Sequence, residues 1–279
     1  MKRLPERAGV LLVSALLLAM GSLHAADGGA VLRVGGAGAG LGTLKRLGEA
    51  FQNVQPGAKV QMVPNLGSSG GIKALLDGAV DLAVAARPLR PGEFQGGARA
   101  HPYGRTPFLF IANLDVPSTQ VTPADLEALL EGRLRNWPGG PRARIVLRPL
   151  GDGDTDLMAA LSPAMAQALR AAHGRTGMVL AVTDQEALDA VARIPGALGT
   201  STLAQLVTEP RSVKVLRYNG SEPNLKNLAA GAYPLAKAMA LVTGPRSPAL
   251  AQAFLRFVRS PQGRALLSAT GHLPEEGEP

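Results

Sequence analysis

The chain reads as an α/β protein built on mainly parallel sheet. Three observations predict this class. Short apolar runs at residues 31–34, 59–63 and 80–84 are separated by segments of helical periodicity. Strand, helix, strand, helix, strand in that order requires right-handed crossovers between parallel strands. Glycine-containing turns stand where a strand gives way to a helix, at residues 67–71 and again at 151–155.

The elements follow in order. Residues 31–34 form a β-type run, and GGAGAGLGT (35–43) reads as a turn. Leu44, Leu47 and Phe51 recur at helical spacing, and Gln55-Pro56-Gly57 ends that helix. Residues 59–63 alternate like a strand. GSSGG (67–71) then opens a helix over 72–76, which leads to the strand at 80–84. Residues 108–112 are another apolar strand, and after Asn113 the texture changes. Thr122 is placed as an N-cap with Pro123 at the first helical position. A strand at 145–147 runs into Arg148, and GDGDTD (151–156) opens a further helix. Residues 178–182 and 196–199 read as short strand and turn elements, and 238–243 as a late strand. Ser247-Pro248 and Ser260-Pro261 cap two closing helices, the first with Leu250, Phe254 and Val258 on one face. Only the tail at 275–279 reads as loose.

Composition bounds the function. With 279 residues, 46% apolar and 18% charged, the chain can bury a sizeable core. Aromatics at 4% argue against a base-stacking nucleic-acid module despite the net charge of +8. No cysteine is present, which excludes disulfides, thiol catalysis and thiolate metal sites. Residues 1–25 read as a secretory signal. Lys2, Arg3 and Arg7 form its basic end, residues 9–20 are apolar, and cleavage is expected after Ala25, leaving +6.

Catalytic and metal signatures are weak. His24, His101, His173 and His272 show no ligand spacing, so no metal is expected. GGAGAGLGT matches neither nucleotide-binding glycine pattern, so no cofactor is expected, and no G-x-S-x-G elbow is present. The two glycine turns carry the chemistry instead. A loop opening a helix presents unpaired N–H groups at the positive end of the helix dipole, which suits a small anion. Ser68 and Ser69 add hydroxyl donors, and Gly70 and Gly71 add backbone N–H groups. Arg148 can clamp an oxyanion with two parallel hydrogen bonds, or pair with Asp152 or Asp154. Arg87 reads as structural. Asp154 and Thr155 also suit helix N-caps. Two such turns facing each other across a cleft would surround one small ligand.

GSSGGIKALLDGAVDLAVAARPL (67–89) resembles a segment of the periplasmic phosphate-binding proteins of ABC importers. LEGRLRNW (130–137), the span 148–155, GAYPL (231–235) and the closing helices at 254–274 are similar to that family in the same order. The resemblance implies a two-lobed type II periplasmic binding fold. Lobe one would comprise 26–112 and 237–279, and lobe two 113–236. It further implies a periplasmic monomer with no catalytic residues and no nucleic-acid partner, which binds phosphate or a similar small anion and delivers it to an ABC permease in the inner membrane. The alternative is a sensor or interaction protein of the same fold with a degenerate site.

The site residues implied are Ala39, Gly40, Thr43, Ser68, Ser69, Gly70, Gly71, Arg148, Gly153 and Thr155. The pattern departs from the family at several of these places. Gly40 stands where a hydroxyl residue is usual, and Ala86 where an aspartate accepts the ligand's proton. Asp152 and Asp154 stand where Ser and Thr donate hydrogen bonds. An ionised carboxylate donates nothing, and like charges about 4 Å apart repel by roughly 4 kcal/mol at an effective dielectric near 20. Anion binding therefore requires both aspartates to be turned to other partners.

Overall fold

The structure is a computed structural model and describes residues 30–275. The expected signal at 1–25 and the last residues of the tail lie outside that span. The first half contains β1 (Ala30–Gly36), α1 (Gly38–Val54), β2 (Ala58–Val63), α2 (Gly67–Asp77), β3 (Leu82–Ala85), α3 (Pro91–Gln95) and β4 (Arg99–Ala112). There follow β5 (Gln120–Val121), α4 (Pro123–Glu131), β6 (Arg144–Leu147), α5 (Gly153–Ala159), α6 (Pro163–His173) and β7 (Val179–Leu180). Next come α7 (Asp184–Arg193), β8 (Ala197–Thr202), α8 (Leu203–Thr208), β9 (Lys214–Tyr218) and α9 (Leu225–Ala229). The chain closes with β10 (Ala236–Thr243), α10 (Ala249–Arg259), α11 (Pro261–Ala269) and β11 (Leu273–Pro274).

Strands line up in the order β2-β1-β3-β10-β4-β8-β6-β7. β1 pairs in parallel with β2 and β3, and β6 with β7 and β8. The two parallel groups are joined by antiparallel strands. β10 pairs with β3 on one side and β4 on the other. The long β4 pairs with β10 along its first part and with β8 and β9 along its second. Each group has its own core. Leu32, Leu44, Phe51, Met239 and Phe254 pack in one, with the Phe51 and Phe254 rings edge to face at 5.3 Å. Phe108, Phe110, Leu129, Trp137 and Tyr233 pack in the other.

Among the boundaries that differ from the sequence expectation, two matter to the site. α1 starts at Gly38, so most of the glycine-rich stretch is helix and not turn. Small residues let this turn sit close to the sheet: a Cβ on Gly40 would lie 2.8 Å from Met239 and 2.9 Å from Val84. α2 likewise starts at Gly67, not at Ile72. It crosses β1 so closely that a Cβ on Gly71 would lie 2.5 Å from the Gly36 Cα. Elsewhere Thr122 and Ser260 cap α4 and α11 as expected, accepting from the N–H groups of Asp125 and Gly263. α10 begins without a side-chain cap. Ser247 instead accepts from Gly244 N–H and donates to the Asp81 carbonyl.

No helix among the described residues is long and apolar enough to cross a membrane. His272 is wholly buried beside the Tyr103 ring, and burial pushes its imidazole down to about 4. The unfolded chain therefore takes up a proton near pH 6.5 that the folded chain refuses. Stability is expected to be full above pH 6.5 and to fall as pH drops towards 4, by up to about 3 kcal/mol from this group. Urea midpoints of the native chain and of His272→Gln between pH 7 and pH 4 check this; equal pH slopes in the two proteins would refute it.

Candidate functional site

The carboxyl ends of β1 and β2 lead into the N-termini of α1 and α2. The N-cap of α1 is Ala37 and that of α2 is Leu66; neither supplies a side-chain oxygen, and neither helix has an acidic residue in its first turn. By contrast α4, α5, α6, α7, α8, α9 and α11 are each capped by a Ser, Thr, Asp or Asn side chain. Both of these starts therefore keep donors that the local sequence does not satisfy.

Opposite them stands the end of β6. Arg148 is 4% exposed. Its Nη1 donates to the Ala181 carbonyl at 2.9 Å and its Nη2 to Asp152 Oδ2 at 3.0 Å, while Nε has no partner. Asp152, not Asp154 or Thr155, is the N-cap of α5, accepting from the Asp154 N–H at 3.0 Å. Thr155 donates its hydroxyl to the Arg148 carbonyl at 3.0 Å. Asp154 is buried; it accepts from Thr200 Oγ1 at 2.6 Å and is ion-paired with Lys237. Both aspartates thus turn to other partners.

Asp184, the first residue of α7, completes the arrangement. Its Oδ1 lies 3.5 Å from Lys237 Nζ and 3.8 Å from Arg148 Nη2. The backbone N–H of Ala39, in the first turn of α1, also faces this carboxylate. Five buried or mostly buried charges thus meet where the two halves touch: Arg148 and Lys237 against Asp152, Asp154 and Asp184. Burial alone would lower the Arg148 and Lys237 pKa values, but the surrounding carboxylates hold both above their ordinary range. Burial pushes Asp184 up, and Lys237, Arg148 and the Ala39 N–H together outweigh it and hold it below the carboxylate range. Asp152 moves the other way, raised by burial and then by the neighbouring Asp154.

The remaining expected residues fall into three groups. Ser68 Oγ accepts from the Ala86 N–H at 3.0 Å, and its own proton remains free to be donated. Ser69 Oγ accepts from Arg87, whose guanidinium also grips Glu93 at 2.6 Å, so Arg87 is structural. Gly153 abuts Ala86: a Cβ there would lie 3.1 Å from the Ala86 carbonyl oxygen. Gly40 and Gly71 serve close packing, and Thr43 is fully buried with its hydroxyl unpartnered. Gly70 and Gly71 lie past the first turn of α2, where N–H groups are spent within the helix. A cavity of about 30 Å³ behind Arg148, Asp154 and Thr155 is walled mainly by core residues such as Phe110, Leu126 and Met158 and belongs to the interior of this half, not to the cleft.

The model of a PBP superfamily domain matches residues 23–262. The chain belongs to the PBP superfamily. Within it, the chain is 22% identical over 215 residues to the phosphate-binding protein PstS of Borreliella burgdorferi, covering 74% of this chain and 77% of that one. It is 24% identical over 235 residues to PstS of Bacillus subtilis, covering 81% and 74%. The fold is similar to that of a putative phosphate ABC transporter substrate-binding protein from Clostridium perfringens, solved with bound phosphate. That match has a TM-score of 0.77 at 19% identity and covers 88% of this chain and all of that one. The two-lobed type II binding-protein fold is thereby the fold of this superfamily member.

Sequence reasoning missed Lys237, Asp184 and Thr200. Lys237 did leave a trace. It is a lone charge in an apolar strand, on the same buried face as Met239 and Leu241. Asp184 follows the Thr183 capping box, which announces a helix start but not a contact with α1. Among the described residues no group of three or more His, Asp or Glu is placed to hold a metal.

Lys237→Met should strand Asp154 and Asp184 without their nearest cation and destabilise the fold by about 3–5 kcal/mol. Lys237→Met with Asp154→Asn should recover part of that loss. Chemical denaturation of both variants checks this, and a double variant no more stable than the single would count against the pairing.

Proposed function

We propose that this PBP superfamily member is an exported, periplasmic solute-binding protein. It holds a small oxyanion, phosphate or a chemical relative, between its two lobes and passes it as a monomer to an ABC permease in the inner membrane. The lobes are taken as residues 26–112 with 237–279, and 113–236. No covalent step is required of any residue. One observation carries the reading. A carboxylate, that of Asp184, lies between the N-terminus of α1, Arg148 and Lys237. Its two oxygens stand in for those of a ligand oxyanion, because these partners recognise negative oxygen whatever it is attached to. The two PstS relatives, both phosphate-binding proteins, support the choice of anion.

Lobe one contributes the first-turn N–H groups of α1 and α2 and the free proton of Ser68. Lobe two contributes Arg148, and Lys237 stands beside it on the strand that joins the halves. Calorimetry of the chain without its signal should give heat with phosphate or with another small oxyanion. Ser68→Ala should weaken that binding by about tenfold, the usual worth of one hydrogen bond to a charged group. Absence of heat with phosphate, sulfate and nitrate alike would sink the reading.

A second reading, the interaction protein, is favoured by a different surface. A groove of about 500 Å³ on lobe two is lined by Arg135, Arg142, Arg144 and Arg175, none of which has an acidic partner within ion-pair distance among the described residues. Glu131, the acid on its wall, is taken by Arg133 at 2.5 Å. Such a surface suits an acidic partner protein. Arg142→Glu with Arg144→Glu should abolish capture of a membrane receptor while leaving oxyanion heats unchanged; retained capture would discard this second reading.

A further inference from the structure

We infer that Asp184 is a tethered stand-in for the ligand: its carboxylate latches the two halves together across the cleft, and the anion that takes its place carries a single negative charge. The inference rests on reading the cleft as an oxyanion site, and it adds what holds the cleft and which charge it accepts.

Three carboxylates share two cations here, and they are not held alike. Asp152 is fixed by Arg148 at 3.0 Å and by the Asp154 N–H at 3.0 Å. Asp154 is fixed by Lys237 and by Thr200 at 2.6 Å. Asp184 stands off at 3.5 Å from Lys237 and 3.8 Å from Arg148, so it is the loosest of the three. It also reaches α1, where a Cβ on Gly38 would lie 2.8 Å from its Oδ2. Its neighbour Gln185 spans the same joint, donating to the Gly38 carbonyl at 3.3 Å and to the Glu209 carboxylate at 3.2 Å. A second sign of ligand chemistry is the Arg148 Nε, buried in the same cluster with no partner.

The charge class follows from the count. With Asp184 in place, two cations face three carboxylates. When it leaves, two face two, and the α1 donors it had covered are exposed. A monoanion restores the present balance, whereas a dianion leaves the site one charge more negative than it is now. Ligand entry is thus an exchange of the Asp184 charge for that of the incoming anion.

Two variants test the latch by different routes. Asp184→Ala removes the carboxylate. Gly38→Ala leaves every charge intact but puts a methyl 2.8 Å from Asp184 Oδ2 and against Gln185, wedging the joint. Because the chain has no cysteine, Asn53→Cys on α1 and Gln167→Cys on α6 accept one spin label on each half. In the absence of ligand the inter-label distance should lengthen in both variants relative to the parent. By calorimetry Asp184→Ala should take formate at least tenfold more tightly than the parent does, and more tightly than it takes sulfate. Unchanged distances, equal formate affinity in parent and variant, or a preference for sulfate would overturn the inference. If neither protein gives heat with formate, sulfate or phosphate, the oxyanion function falls. The label distances then decide whether Asp184 is a latch at all.

Discussion

The buried cluster of Arg148, Lys237, Asp152, Asp154 and Asp184 is the constraint on which the rest of the molecule depends. Taking one charge out of water costs several kcal/mol even after relaxation. Five of them persist only because each is placed against an opposite partner or a fixed hydrogen-bond donor. The elements that meet there are set by that need. β6 must end where Arg148 can reach the Ala181 carbonyl and the α5 cap. β10 must carry Lys237 inward, and it can because it runs between β3 and β4, the seam between the two cores. α7 must begin where Asp184 meets both cations and α1. The cluster therefore joins the halves more specifically than apolar contact does, since apolar surfaces can slide whereas an unpaired buried charge cannot be tolerated.

The same cluster decides how an anion can be held. An oxyanion site usually has donors waiting; here the cations are engaged before any ligand arrives. Asp152 and Asp154 do not confront a ligand as free negative oxygens, because one caps α5 and the other is paired with Lys237. The repulsion expected from their positions in the chain is largely neutralised, but the attraction of Arg148 is drawn down with it. What remains unspent is modest: the starts of α1 and α2, the proton of Ser68 and the Arg148 Nε. Affinity must come from exchange within the network and not from addition to it.

How much of this was legible depended on the range of the interactions. The alternation of strands and helices and the Thr122 and Ser260 caps are local, and they could be read. The start of α1 could not be. GGAGAG has the composition of a turn, and only packing against Met239 and Val84 makes it helix. α7 and β9 went unread, although the Thr183–Glu186 capping box marks the start of α7. Lys237 and Asp184 lie 83 and 30 residues from Asp154, and nothing in a linear pattern couples them. An acid at a helix start looks the same whether it faces water or the opposite lobe.

Ala86 shows why the departures from the family belong together. Its carbonyl lies against Gly153, 3.1 Å from where a Cβ would stand, so a side chain there would force a small shift, and Lys237 Cε is 3.8 Å from the same point. The resemblance places an aspartate at 86 in phosphate binders. In this chain the acids stand instead on the facing loop, at Asp152 and Asp154, with Lys237 beside them. Restoring an aspartate at 86 alone would set a fourth carboxylate beside a cluster already one negative charge in excess, and removing Asp154 alone would leave Lys237 with only the looser Asp184. Asp152, Asp154 and Lys237 therefore depend on one another, each acid standing with a cation within reach. That arrangement preserves a closed and paired interior where single changes would not.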